Sequence, residues 1–543
     1  MTKRKPKYIF VTGGVLSGLG KGITAASIGN ILKSHGLKVN MQKFDQYINV
    51  DAGTLNPAEH GEVFVTDDGA EADLDLGHYE RFLDQNVTAD SSVMTGKIYQ
   101  EVIARERRGE YLGKTVQVIP HLTDEVKRRA HLAAESDSFD IHIVEIGGTV
   151  GDNEGFHFIE AARQMQLDEG KDNVIYVHVV FLPYLKASDE VKTKPAQNSV
   201  RELRSIGIQP DILIARTDYP VRENLIKKLS LYTNVEPEAI LPLETVSSVY
   251  EVPLVMQDAE LDRVIIKKLN LKLEKQKNDQ WGALVDTIKA DKPKLTIAMV
   301  GKYTTMLDTY ASLVEALKAA CWHNGVDLVL RWIDAEEVEK LGAEALLAEA
   351  AGIVVPGGFG VRGTEGKIKA IQYAREHKVP YFGLCLGMQL AVIEFARNVA
   401  GVAQATSQEF ISESHTAEET KSCVIHIMET QKTITDKGGT MRLGGWDCAL
   451  ADDSFSYHAY GSKTIRERHR HRYEFNNDFR ELFEKKGMRI AGTTPDNSLV
   501  EIIELPNHPW FVGVQFHPEF TSRPLHGHPL FNAFIKAAKQ QGK

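Results

Sequence analysis

Apolar residues in this chain gather in short runs spaced by mixed stretches. Residues 8–12 (Y-I-F-V-T) are apolar without alternation and run straight into glycines, the pattern of a strand buried on both faces. Residues 141–145, 173–182 and 211–215 read the same way, with helical spacing at 200–205 and 223–231. Strands alternating with helices predict a parallel α/β sheet. After a polar, lysine-rich stretch at 270–291 a second series begins, with strands at 294–301, 352–356, 379–384 and 511–516. Two α/β domains are therefore expected: 1–268, then a partly helical linker over 269–293, then 294–543. Residues 412–421, low in hydrophobicity, read as an exposed loop.

Length agrees with this division, because 543 residues exceed what one hydrophobic core organises. The formal charge of -10, from 64 basic and 74 acidic residues, argues against nucleic acid or an anionic membrane as the main partner. No apolar run approaches the ~18 residues of a membrane span, and the run at 8–12 is too short for a signal-peptide core. The four cysteines, Cys321, Cys385, Cys423 and Cys448, have no C-x-x-C spacing, which points to a reduced cytoplasmic setting.

The first strand opens a glycine-rich turn, G-G-V-L-S-G-L-G-K-G at 13–22, followed by a helix. Backbone N–H groups of such a turn, with the helix N-terminus, cradle phosphate oxygens, and Lys21 would neutralise them. The turn departs from G-x-x-x-x-G-K-[ST], since Gly22 stands where a hydroxyl residue usually holds Mg²⁺. Carboxylates must then supply the metal ligands. Asp73 and Asp75 in a D-L-D-L run, and Glu145 at a strand end, are the candidates.

The second half carries a different chemistry. In G-L-C-L-G at 383–387 a strand turns sharply into a helix and presents Cys385, the geometry of a nucleophile elbow. A helix N-terminus favours thiolate. His517 and Glu519, in H-P-E after the last strand, can act as base and orienting carboxylate. Backbone N–H groups near Cys385 and in P-G-G-F-G at 356–360 can hold an oxyanion. The basic run at 466–472 (R-E-R-H-R-H-R) reads as a substrate-anchoring edge.

With these residues in place, the chain resembles CTP synthases over nearly its full length. P-G-G-F-G, G-L-C-L-G-M-Q and H-P-E match class I glutamine amidotransferase domains. The runs Y-I-N-V-D (47–51), H-G-E-V-F-V (60–65), D-L-D-L-G-H-Y-E-R-F (73–82), E-I-G-G-T-V-G-D (145–152) and K-T-K-P-A-Q (192–197) match the synthetase half. The resemblance implies a P-loop-type parallel-sheet amidoligase domain followed by a class I amidotransferase α/β domain. It implies that UTP, ATP and glutamine give CTP, ADP, phosphate and glutamate, through UTP phosphorylated on its ring O4.

What it implies at residue level is as follows. ATP would be held by Gly18, Leu19, Gly20, Lys21, Gly22, Ile23 and Asp75, with Lys43 a further phosphate contact. Mg²⁺ would bind Asp75 and Glu145. UTP, or CTP as feedback inhibitor, would meet Ser17, Asp152, Asn153, Glu154, Lys192, Thr193, Lys194, Pro195, Ala196, Gln197 and Lys228; Asn153 stands where the family carries a hydrophobic residue. Glutamine would meet Gly358, Leu386, Gly387, Met388, Gln389, Glu409 and Arg472. The segment Gly360-Val361-Arg362-Gly363 corresponds to a lid linked to activation by GTP. The family works as a homotetramer. Because ammonia in bulk water near neutral pH is mostly ammonium, an internal channel from Cys385 toward the phosphate turn is expected. Two other readings share the motifs: a different ATP-dependent amidoligase, such as a cobyrinic-acid a,c-diamide synthase, and a P-loop switch ATPase with a degenerate glutaminase domain.

Overall fold

The computed structural model describes residues 5–272, 279–302, 306–411, 421–432, 434 and 438–541. The chain forms two compact units, one of residues 1–51 and 75–288, the other of residues 52–74 and 289–543. The expected loop at 412–421 lies, but for Lys421, outside the described residues.

In the first unit the strands are β1 (Lys7–Gly13), β2 (Val39–Asp45), β3 (Ser92–Met94), β4 (Ile141–Ile146), β5 (Val174–Phe181), β6 (Ile212–Thr217) and β7 (Ile240–Glu244). They form one sheet in the order β7-β6-β5-β1-β4-β2-β3, every pair parallel. β1 pairs with β4 on one side and β5 on the other, so the strand order reverses at its carboxyl end, where open α/β sheets bind ligands. Gly14 follows there, and a Cβ on it would lie 1.7 Å from Ser199 Oγ. Only glycine lets the turn pass this close to the helix Lys194–Ser205. His178 bridges Thr12 and Ser199, each at 2.8 Å, and fixes the strand to that helix.

The stretch expected as linker contains the helix Asp279–Lys289. Its Trp281 is buried, donates to the Tyr250 carbonyl at 2.9 Å and packs beside Phe82. The helix therefore belongs to the first unit's core, because an aromatic at helical spacing buries more area than a solvated spacer would.

In the second unit the strands are β8 (Lys294–Gly301), β9 (Asp327–Asp334), β10 (Gly352–Val355), β11 (Tyr381–Leu384), β12 (Arg442–Leu450), β13 (Thr464–His471), β14 (Arg489–Thr493), β15 (Val500–Glu504) and β16 (Phe511–Val514). The sheet runs β9-β8-β10-β11-β16-β15-β14-β12-β13. The first five strands are parallel and the rest antiparallel. β11 and β16, which carry Cys385 and His517 at their ends, are neighbours. The antiparallel half escapes a sequence reading because β12 is broken by two glycines and an aspartate and β13 is a polar strand with three arginines.

Residues 52–74 pack within this second unit. Phe64–Val65 and Glu71–Ala72 form a small antiparallel pair, and the Glu71 carbonyl accepts from Ala52 N–H at 3.3 Å. Thr309 Oγ1 donates to the Pro57 carbonyl, and Ser312 N–H donates to the Glu62 carboxylate.

Candidate functional site

The phosphate turn leaves β1 and enters the helix Lys21–Ser34. Gly18 and Gly20 have φ of 71° and 84°, the left-handed region where a glycine turn presents successive N–H groups to one side. Lys21 is 9% exposed and donates to the Gly148 carbonyl at 2.8 Å. Burial lowers its ammonium pKa. Gly22 is explained by packing: a Cβ there would lie 2.4 Å from Asp75 Oδ1 and 3.4 Å from Glu145 Oε2. Two carboxylates thus converge on the first helical turn. Lys43 Nζ sits among them, bonded to Asp75, 3.3 Å from Asp45 and 3.8 Å from Glu145. Tyr79 donates its hydroxyl to Glu145 Oε2. Burial pushes the Glu145 carboxyl up to about 7, and the Asp75 charge adds to this against the pull of Lys43. For Asp75 burial works the other way from its neighbours, and Lys43 and His78 hold its carboxyl below the usual range.

This donor set fits Mg²⁺, which takes a few carboxylates and fills its octahedron with waters and phosphate oxygens. Among the described residues no cluster of three or more His, Cys, Asp or Glu is placed to hold a metal unaided.

Gly18, Leu19, Gly20, Ile23 and Thr24 also line a cavity of about 170 Å³ with Arg216, Leu243, Thr245, Val246, Val249 and Val252. An apolar slot with one guanidinium at its edge suits a flat heterocycle beside the phosphate turn. The sequence reading missed this wall. Its residues come from β6, β7 and the turn and helix start that follow β7, and carry no motif.

The candidate UTP residues lie elsewhere in the same unit. Thr193 precedes the helix Lys194–Ser205, Pro195 occupies its first turn, and Gln197 donates to Thr193 Oγ1 at 3.0 Å. Lys192 pairs with Glu190. Lys228 is exposed on the helix Glu223–Thr233, which packs against Lys194–Ser205. Asp152 accepts from Thr149 N–H at 2.8 Å, and Asn153 and Glu154 are exposed in the next turn, as is Ser17 in the phosphate turn. None of these residues lines the 170 Å³ cavity.

In the second unit Cys385 sits between β11 and the helix Leu386–Asn398 with φ 50° and ψ -102°, a strained conformation for a non-glycine residue. The flanking glycines follow from it. A Cβ on Gly387 would lie 2.2 Å from the Val355 carbonyl oxygen, and one on Gly383 would lie 2.8 Å from the Gly387 carbonyl carbon. The Cys385 N–H donates to the Val514 carbonyl at 2.7 Å. Its thiol points to the Arg470 carbonyl at 3.8 Å, and Gln515 Nε2 donates to the sulfur at 3.7 Å.

Glu519 Oε1 accepts from His517 Nδ1 at 2.7 Å, so Nε2 is the nitrogen that faces the thiol. Burial disfavours the imidazolium, but the charges of Glu519 and Cys385 outweigh it and push His517 up to about 10. His517 is therefore held as imidazolium beside the Cys385 sulfur.

Around Cys385 is a cavity of about 120 Å³, lined by Pro356, Gly357, Gly358, Phe359, Arg470 and His517 among others, and by Pro57, Glu62 and Val63 from residues 52–74. It is smaller than drug-sized pockets of about 300 Å³ and upward and suits the carboxamide end of a small substrate. Gly358 is thus at the thiol. Glu409 accepts from Gly360 N–H at 2.7 Å, and Lys302 donates to the Phe359 and Gly360 carbonyls, so the two side chains clamp the glycine turn. Arg362 of the expected lid donates to the Lys302 carbonyl at 2.9 Å. Leu386, Gly387, Met388 and Gln389 form the first helical turn, with Gln389 donating to the Tyr473 carbonyl and to Gln515.

Arg472 does not line the cavity; it donates to Gln431 Oε1 at 2.5 Å and Thr440 Oγ1 at 2.7 Å. Arg470 lines it instead. The expected anchoring edge at 466–472 is corrected in this respect: three of its arginines serve the protein. Arg466 meets Asp67, Arg468 meets the Val65 carbonyl and Arg470 meets Glu71. Lys302 was missed because V-G-K at the end of β8 resembles any strand end. Lys367, fully buried with no hydrogen bond to Nζ, was missed because it reads as a surface helix position.

Comparison with known proteins decides between the readings left open. Residues 7–271 match the family described as "CTP synthase N-terminus", and residues 305–537 match "Glutamine amidotransferase class-I". A CTP synthase of Roseiflexus sp. (strain RS-1) is 56% identical over 533 residues, covering 98% of this chain and 95% of the relative. One from Carboxydothermus hydrogenoformans is 55% identical, covering 99% of each. The chain belongs to the CTP synthase family. Among solved structures, "Trypanosoma brucei CTPS - glutaminase domain with bound acivicin" is 39% identical and covers 45% of this chain and 94% of its own, at a TM-score of 0.42. Family membership confirms the expected fold class, a parallel-sheet synthetase half followed by a class I amidotransferase half. Among the described residues no helix is long and apolar enough to cross a membrane.

Proposed function

We propose that this chain is a glutamine-hydrolysing ligase that converts UTP to CTP. The observation that carries the reading is the pairing, within one chain that matches a CTP synthase over 99% of its length, of the Cys385–His517–Glu519 arrangement with a phosphate turn flanked by Asp75 and Glu145. The amidoligase and cobyrinic-acid alternatives, and the switch ATPase, lose their ground to that coverage.

Cys385 Sγ attacks the glutamine carboxamide carbon. Backbone N–H groups of the Gly357–Phe359 turn, clamped by Lys302 and Glu409, hold the oxyanion. His517 gives its proton to the leaving nitrogen, ammonia departs, and water cleaves the glutamyl thioester to glutamate, with His517 as base. In the synthetase unit the turn Gly18–Ile23 and Lys21 position ATP so that its γ-phosphoryl passes to O4 of UTP, giving ADP. Ammonia adds at C4, and phosphate leaves with the former O4. Asp75 and Glu145 would hold Mg²⁺, which would supply charge neutralisation at the phosphates. Lys192, Lys194 and Lys228 offer point charges for the UTP triphosphate, and the same residues accept CTP in feedback inhibition. Glu409, which holds the glycine turn beside the thiol, offers a carboxylate to the glutamine α-ammonium group. The lid at Gly360–Gly363 answers to GTP.

Pro57, Glu62 and Val63 line the thiol cavity and belong to residues 52–74, which begin and end next to Asp51 and Asp75 of the synthetase unit. An internal route for ammonia from Cys385 toward the phosphate turn is part of this reading. Assembly as a homotetramer is part of the same reading. The enzyme acts in the cytoplasm.

Incubation with UTP, ATP, Mg²⁺ and glutamine, followed by ultraviolet absorbance, should show CTP. Cys385→Ala should abolish glutamine-dependent turnover and keep turnover with ammonium salt. ATP hydrolysis without CTP would overturn the reading.

A further inference from the structure

Two arginines on one face of β13 each hold a catalytic residue with their backbone and residues 52–74 with their side chain. The Arg468 carbonyl accepts from His517 N–H at 2.7 Å; its fully buried guanidinium donates to the Val65 carbonyl at 3.0 Å and lies over the Phe64 ring. Phe64 in turn packs edge-on against Phe520, which stacks on His517. The Arg470 carbonyl accepts from the Cys385 thiol at 3.8 Å, and its guanidinium lies 5.3 Å over Phe359 of the oxyanion turn. Arg470 Nε donates to Glu71 Oε1 at 2.8 Å, with the Glu71 side chain 0% exposed, and Glu71 Oε2 accepts from Gly439 N–H at 2.9 Å.

We propose that residues 52–74 are a strap that positions the glutaminase triad, with Glu71 and Arg470 as its clasp. Glu71 closes the strap's neck through its carbonyl to Ala52 and, through its carboxylate, grips the arginine that backs both the thiol and the oxyanion turn. The strap ends at Leu74, so the next residue is Asp75, the carboxylate read above as the nucleotide and metal contact. Binding at Asp75 therefore reaches the thiol through a four-residue stretch and one buried ion pair. This extension rests on the functional reading above. The positioning claim does not, because alkylation of the thiol reads it without turnover.

The test is full-length Glu71→Gln beside Glu71→Asp. Glu71→Gln keeps an acceptor for Gly439 but leaves Arg470 without its carboxylate, and a buried charged hydrogen bond is the contact most sensitive to that change. The expected result is a fall of 10-fold or more in kcat/KM for glutamine hydrolysis, with ammonium-supported CTP formation within 2-fold of wild type. Iodoacetamide labelling of Cys385, with ATP and UTP present, should slow several-fold. Glu71→Asp should lie between. Parallel loss of both activities with a lowered melting temperature would overturn the proposal in favour of a structural role. Unchanged glutaminase and labelling would overturn it too. If Glu71→Gln does not fold, the same readouts on Glu71→Asp decide. Wild-type enzyme that labels normally but forms no CTP would sink the functional reading and leave the strap standing.

Discussion

Gly22→Ala is the sharpest local test of the phosphate site. The added Cβ would lie 2.4 Å from Asp75 Oδ1, 3.1 Å from Asp75 Cγ and 3.4 Å from Glu145 Oε2. An ordinary contact needs about 1 Å more, so either the helix start or the Asp75 carboxylate must retreat by that much. Asp75 is short and already bonded to Lys43, and Lys43 is also shared with Asp45 and Glu145, so the retreat disturbs the whole cluster. Overpacking costs about 1–3 kcal/mol, and replacing a helical glycine returns up to about 1 kcal/mol, so the protein stays folded. Catalysis suffers more, because a misplacement of about 1 Å in a positioned site costs about 10²-fold in rate. The assay is ammonium-supported CTP formation across Mg²⁺ and ATP concentrations, with glutamine hydrolysis measured separately. The expected result is a loss of about 10²-fold in the first and less than 2-fold in the second. Ammonium-supported turnover within 2-fold of wild type would refute the claim that Asp75 and Glu145 converge on Gly22 to serve the nucleotide.

Other expectations follow from the same packing and charge arguments. Gly387→Ala drives a Cβ to 2.2 Å from the rigid Val355 carbonyl, so the elbow must open; glutamine hydrolysis should fall at least 10²-fold while ammonium-supported CTP formation survives, checked by the two assays side by side. Glu519→Gln should lower glutaminase kcat by about 10²–10⁴-fold, as loss of an orienting carboxylate does in related triads. His517 is raised to about 10, so its imidazolium contributes fully below about 6.5 and fades as pH rises through about 10. The variant should bring that alkaline limb to lower pH, read from glutamine hydrolysis, in which His517 protonates the leaving nitrogen, between pH 6 and 11. His142 and His178 are fully buried and lowered to about 3 by burial, so they fold neutral. The unfolded chain binds those protons first, and stability of the first unit is lost as pH falls from about 6.5 toward 3, by up to about 1.4 kcal/mol per pH unit for each histidine. Urea unfolding at pH 7, 6 and 5 measures the slope, and His178→Asn should flatten it.

Much of the site was legible because its signals are local. β1 with its glycines, the G-L-C-L-G elbow and H-P-E each encode a backbone conformation within a few residues, and the structure forms all three. The pairing of Cys385 with His517 required β11 and β16 to be neighbours, which chain order does not give. Residues 52–74 looked like part of the first domain because they lie inside it in sequence; their attachment to β13 rests on Arg468 and Arg470, whose partners are hundreds of positions away. Basic residues in R-E-R-H-R-H-R invite a substrate anion, and only the buried Glu71 and the half-buried Asp67 show where their charge goes. The heterocycle slot was invisible for a similar reason: Arg216 and Val249 approach the phosphate turn through the sheet order, not through a motif.

The central claim is that nitrogen freed at Cys385 becomes the exocyclic amine of CTP. Glutamine labelled with ¹⁵N in its amide, supplied with UTP, ATP, Mg²⁺ and excess unlabelled ammonium at neutral pH, tests it by mass spectrometry of the product. The account expects CTP carrying the ¹⁵N with little dilution, and only unlabelled CTP from Cys385→Ala. Label diluted to the composition of the bulk ammonium would contradict an internal route, and labelled CTP from Cys385→Ala would contradict the assignment of the nucleophile.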